Sequence, residues 1–222
     1  GDPASQAKVG EFYLNEMGVG ADFPAALSWL EKAAEGGSLE AQYSLGRVYF
    51  EGKHAERDYP EAVFWLRRAA SGEYPAAQSL LGKMYAGGLG GLPRDMEKAV
   101  VLWTKAARNG DAEAQAALGA AYLTGGVLRP DFRQAAFWYK KAAESGNVPA
   151  QTGLGWLYLY GKGVRKDPAE AYAWFLVAAG GGGCGENCAA AEALFSDGDE
   201  ARARALAARR GAKISARKPK GR

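Results

Sequence analysis

Apolar and polar positions in this chain recur on two nested periods. Within Ala41–Tyr49, residues Ala41, Leu45, Val48 and Tyr49 follow i, i+4, i+7, i+8. That spacing marks one face of an α-helix. The longer period is read from glycines: Gly10, Gly46, Gly82, Gly119 and Gly155 are 36, 36, 37 and 36 residues apart. Each lies three residues before a tyrosine (Tyr13, Tyr49, Tyr85, Tyr122, Tyr158). A small residue follows in each unit (Ala26, Ala62, Ala99, Ala135, Ala171). Three residues on comes Trp29, Trp65, Leu102, Trp138 or Trp174. An Ala pair closes each unit, from Ala33-Ala34 to Ala178-Ala179. In the third unit a tryptophan stands one place late, at Trp103.

This pattern predicts about five hairpins of two amphipathic helices each, a repeat architecture. The one extra residue falls in Gly87–Arg94, between helices, where a stack of fixed helix pairs tolerates it. A glycine inside a helix costs about 1 kcal/mol relative to Ala. Five in register therefore imply a compensating close approach of the second helix. Each second helix is expected to start at an aspartate (Asp22, Asp58, Asp95, Asp131, Asp167) that caps free N–H groups. Pro24, Pro60 and Pro168 suit the first turn, and Gly37, Gly72, Gly110 and Gly146 are read as helix stops. After Gly180–Gly183, residues 186–195 and a helix to about Arg209 read as a degenerate capping pair.

Composition adds an asymmetry of charge. The chain holds 28 Lys/Arg and 25 Asp/Glu, but nine of the basic residues and no acidic one lie after Ala201. The tail from about Gly211 is expected to be basic and disordered. No run approaches the ~20 apolar residues of a membrane span. The chain opens at Gly1-Asp2-Pro3, so a processed or trimmed product is expected, with any leader outside it. The two cysteines, Cys184 and Cys188, fit no zinc pattern; a local disulfide and two free thiols both remain open.

The residues from Tyr158 through Gly161-Lys162-Gly163-Val164, Asp167, Ala171 and Trp174 to Ala178-Ala179, preceded by Ala150-Gln151 and Leu154-Gly155, resemble a Sel-one-like repeat. The period and the Gly-x-Gly-Val loop separate it from the 34-residue tetratricopeptide repeat. The resemblance divides the chain at about 4–38, 39–74, 75–111, 112–147 and 148–183, with 184–210 as cap and 211–222 as tail. It implies an all-α fold, a right-handed α/α superhelix whose concave face serves as an adaptor in signalling or envelope assemblies. Many bacterial relatives are exported, which favours a periplasmic or secreted home over the cytoplasm. A cysteine-rich branch is linked to β-lactam binding; it carries cysteines in every repeat, and this chain does not. The alternative function is accordingly an envelope small-ligand binder or hydrolase acting on β-lactam-like or peptidoglycan fragments.

Catalytic chemistry finds little support. The lone histidine, His54, lies in a loop and reads as solvent-exposed. A nucleophile relay needs a histidine oriented by a third group. Scattered serines such as Ser44 and Ser79 have no such partner. The glycine runs Gly87–Gly91 and Gly180–Gly183 follow helices and lack the strand or Gly-Lys-Ser/Thr context of nucleotide loops. No cofactor, metal site or catalytic group is expected.

Recognition is expected instead on the first helices. At fixed offsets from the glycine the residues vary while the Gly/Tyr/Ala frame does not. The expected partner-binding row is Tyr43, Arg47, Phe50, Lys83, Leu123, Trp156, Leu159 and Tyr160, with Glu11 and Asn15 at equivalent places. Aromatic and Arg side chains dominate binding hot spots. The recurrent Trp29, Trp65, Trp138 and Trp174 read instead as inter-helix core. A protein or peptide partner and a monomeric state are expected. Nucleic acid is not, because no aromatic residue after Phe195 offers a base-stacking platform.

Overall fold

The computed structural model describes residues 2–14, 22–182 and 184–217. Asn15, Gly183 and the last basic residues, Lys218, Lys220 and Arg222, lie outside them. Among the described residues there are twelve helices and no strand. The first helices of the five hairpins are α1 (Pro3–Leu14), α3 (Leu39–Glu51), α5 (Pro75–Gly87), α7 (Ala112–Thr124) and α9 (Val148–Tyr160). The second helices are α2 (Phe23–Glu35), α4 (Tyr59–Ser71), α6 (Met96–Arg108), α8 (Phe132–Glu144) and α10 (Pro168–Ala178). Two further helices, α11 (Gly185–Glu192) and α12 (Asp199–Arg217), follow. The chain forms two compact units, Gly1–Asp111 with α1–α6 and Ala112–Arg222 with α7–α12.

Each hairpin closes at its glycine. A Cβ on Gly46 would lie 2.6 Å from Leu66 Cγ, and one on Gly155 2.5 Å from Phe175 Cε1. The side chain filling the notch is always the fourth residue after the framework alanine: Leu30, Leu66, Trp103, Tyr139 and Phe175. The helix-propensity cost of the glycine is thus offset by tight contact between helix axes.

The loops are closed by backbone bonds that the side-chain pattern did not reveal. The amides of Asp58, Asp95, Asp131 and Asp167 donate to the carbonyls of Tyr49, Tyr85, Tyr122 and Tyr158 at 2.9–3.0 Å. All five aspartates accept from first-turn amides, for example Glu61 N–H on Asp58 at 2.9 Å. These caps satisfy donors that a helix N-terminus leaves free.

Neighbouring hairpins are tied by a buried glutamine. Gln42, Gln78 and Gln151 donate through Nε2 to the carbonyls of Ala34, Ala70 and Ala143, at 3.0, 3.4 and 3.1 Å. Within each unit successive first helices touch, α1 with α3, α3 with α5 and α7 with α9, and no comparable contact joins α2 with α4, α4 with α6 or α8 with α10. The first helices therefore line the inner side of each unit.

Gly72 caps α4, but at φ −82°; the left-handed place beyond it is taken by Glu73 at φ 63°, matching Gly37, Gly110 and Gly146. Three expectations need correction here. The segment after Gly211 is helical to Arg217, as part of α12, because Ala203 and Ala207 bury against the stack and Ile214 packs on the core around Trp174. Trp65 and Trp174 are buried, but Trp29 and Trp138 are only half-buried. Trp65 packs with Ala26 and Leu30 of the preceding hairpin and Leu45 of its own, and no hairpin precedes Trp29 among the described residues. His54 is half-buried, its ring 4.4 Å from that of Phe23.

Candidate partner-binding faces

In the N-terminal unit the first-helix face is organised around Tyr43. Its ring lies 5.3 Å from that of Tyr74 and beneath the Arg47 guanidinium at 6.0 Å. Arg47 also reaches Glu11, 3.9 Å away on α1, and Ser44 donates a short hydrogen bond to the same carboxylate. Arg47 therefore already has an acidic neighbour. Burial raises the Tyr43 hydroxyl above its ordinary range, against the opposing charge of Arg47. Burial and the carboxylates of Glu40 and Glu11 do the same for Tyr74. Both hydroxyls stay protonated near neutrality and can donate as well as accept. Lys83 is exposed and stands 5.4 Å over Phe50.

In the C-terminal unit the face carries a ring pair. Tyr160 is 62% exposed and stacks on Trp156, centroids 5.5 Å apart and planes 9° from parallel. Trp156 is half-buried and held edge-on by Phe175 at 5.3 Å. Position on the helix decides these fates. Residues one and five after the glycine face outward, which gives Arg47, Lys83, Trp156 and Tyr160. The residue four after it turns toward the next hairpin.

That geometry corrects part of the expected row. Leu159 is 2% exposed and packs with Ala169, Tyr172 and Phe175 in the core beneath α11 and α12. Phe50 and Leu123 occupy the same register and are half-buried against Leu81 and Met84, and against Tyr139 and Leu154, respectively. Variation in the sequence there reflects packing against differing neighbours.

Sequence reasoning missed the cationic contacts made by α12. Arg202 forms a two-pronged pair with Asp167. Arg210 pairs with Glu170 and lies 4.4 Å over the Trp174 ring. Helical continuation past Arg209 is the signal that would have placed Arg210. Cys184 and Cys188 are joined in a disulfide. Ser44 and Ser79 are buried, and the Ser44 hydroxyl is committed to Glu11. No group of three or more His, Cys, Asp or Glu suited to a metal ion occurs among the described residues. No helix among them is long and apolar enough to cross a membrane.

Stacked hairpins locked by glycine notches, with variable inner-face side chains, define an α-solenoid repeat protein. The Sel1 repeat model matches residues 3–38, 39–74, 75–111, 112–147 and 148–183. The chain belongs to the Sel1 repeat family, whose members are generally protein-interaction scaffolds. No curated protein matches the sequence. Among solved structures, the chain is similar to c5321, a protective antigen of uropathogenic Escherichia coli with an SLR fold: 30% identity, TM-score 0.84, all of this chain and 50% of that one. The chain thus spans half the length of that relative. A Sel1 repeat protein from Oxalobacter formigenes is 31% identical with a TM-score of 0.69, over 82% of this chain and 74% of that one. A third, a Sel1 repeat protein described as putative from Klebsiella pneumoniae, shares 21% identity at a TM-score of 0.57, over 87% of this chain and 93% of that one, and shows the fold alone.

Proposed function

We propose that the chain is a non-catalytic adaptor that holds a protein or peptide partner on its first-helix faces. The observation that carries this reading is the Trp156–Tyr160 stack. Tyr160 fills no core, yet its ring lies flat on a tryptophan and open to solvent. Such a pre-ordered aromatic platform gives contact area at low entropic cost. In the N-terminal unit Tyr43, Arg47 and Lys83 supply a ring and two cations suited to an acidic or aromatic segment.

The disulfide supports a periplasmic or secreted home, since such bonds persist in oxidising compartments. The adaptor acts there as a monomer.

The test begins with a partner captured on the wild-type chain. Tyr160→Ala and Arg47→Glu should each weaken that complex while far-ultraviolet circular dichroism stays unchanged. Retention of the partner by both variants would overturn the assignment of these faces.

A further inference from the structure

A second site lies in the C-terminal unit, between α12 and the helices it covers. Helix α12 folds back along α10 and, with α8 and α9, lines a half-open cavity of about 340 Å³. Four cations line it, Lys140, Arg209, Arg210 and Lys213, against two carboxylates, Glu144 and Glu170. Glu170 is already paired with Arg210. The apolar wall is Leu206, Ile214 and the Trp174 ring.

Two buried donors at this cavity are left over. Trp174 is 3% exposed, and its Nε1 has no hydrogen-bond partner among the described residues. Arg210 Nη1 is likewise buried and unpartnered, although the guanidinium lies 4.4 Å over that indole. A buried N–H without an acceptor is costly, so each of the two asks for one. Donors carried on two residues in ring–guanidinium contact, amid surplus positive charge, fit a planar oxyanion. Tyr158 adds a hydroxyl on the α9 side, kept protonated chiefly by burial and by Glu170.

We propose that this cavity binds a carboxylate carried on an apolar body, with Trp174 Nε1 and Arg210 Nη1 as its donors, Lys140 and Lys213 as its field, and Leu206 and Ile214 against the body. The volume admits a free small acid or the carboxyl end of a peptide, but not a folded surface. The site is independent of the Trp156–Tyr160 platform.

The indole ¹H–¹⁵N resonance of Trp174, assigned with Trp174→Phe, reads the site directly. The full chain is titrated with benzoate, with a short peptide ending in Phe as free acid, with its C-terminal amide, and with inorganic phosphate. A saturable shift of this one indole signal with benzoate or the free acid, and none with the amide or phosphate, supports the proposal; the tighter ligand identifies the source. Lys140→Glu with Lys213→Glu, both at the surface, should weaken that binding about tenfold or more. Tyr160→Ala should leave it unchanged. No shift with either carboxylate, an equal response to the amide or to phosphate, or indifference to the double charge reversal would overturn it.

Discussion

The indole nitrogen of Trp103 donates to the backbone carbonyl of Ser79 at 3.1 Å, through the space that a side chain on Gly82 would fill. A Cβ there would lie 2.6 Å from that nitrogen. Trp103 is therefore not the framework tryptophan displaced by one residue. It occupies the notch-filling place of Leu30 and Leu66, while Leu102 holds the framework position.

Replacing Trp103 by Leu, the residue used in the first two hairpins, should cost about 2–3 kcal/mol. The indole volume and a buried hydrogen bond are both lost. Chemical denaturation of the variant checks this; a loss below about 0.5 kcal/mol would show that the notch adapts to either residue.

Gly155→Ala should destabilise by about 1–2 kcal/mol, because overpacking against the Phe175 ring outweighs the gain in helix propensity. Gly211→Ala is the control. It lies in α12 with nothing within 4 Å of the added Cβ. It should stabilise by up to about 1 kcal/mol. Thermal melts of the two variants should shift in opposite directions.

Glu73→Gly should raise stability by about 1 kcal/mol. A non-glycine residue in the left-handed region carries a steric cost that Gly37, Gly110 and Gly146 avoid at the same place. The midpoint of urea unfolding should rise without a change in slope.

The anchorage of α12 should weaken in acid. Burial alone would raise the Asp167 carboxyl, but the Arg202 hydrogen bond, the Glu170 amide and the Arg202 charge outweigh it and hold the group below the ordinary carboxylate range. A depressed folded value means that the stabilisation is present above the unfolded value, near pH 4, and drains away as pH falls through the folded one. The pair is partly exposed, so about 0.5–1 kcal/mol is at stake. Asp167→Asn keeps the helix cap and removes the charge. Its amides in α12 should exchange faster than wild type at pH 7, with the difference closing at low pH.

The hairpins, their caps and the glycine notches were legible in the sequence because each repeats five times with one physical cause. The outward placing of Trp156 and Tyr160 was legible because outward residues vary against a fixed frame. Leu159 was misplaced because a side chain facing the next hairpin varies just as freely as one facing water. Arg210 was missed because its partners, Glu170 and Trp174, lie some 40 residues away and Arg210 itself belongs to no repeat. The Glu73 strain was hidden by a glycine one place earlier.

A column of like hairpins has no intrinsic last member, since the surface each offers is the one its successor would dock on. Here α12 lies over α10, with Ala173 and Ala203 both at zero exposure. Stripped of 184–217, Tyr172 and Phe175 would lose the cover that Cys188, Ala191 and Ala203 give them, and the fifth hairpin would turn an apolar flank to water.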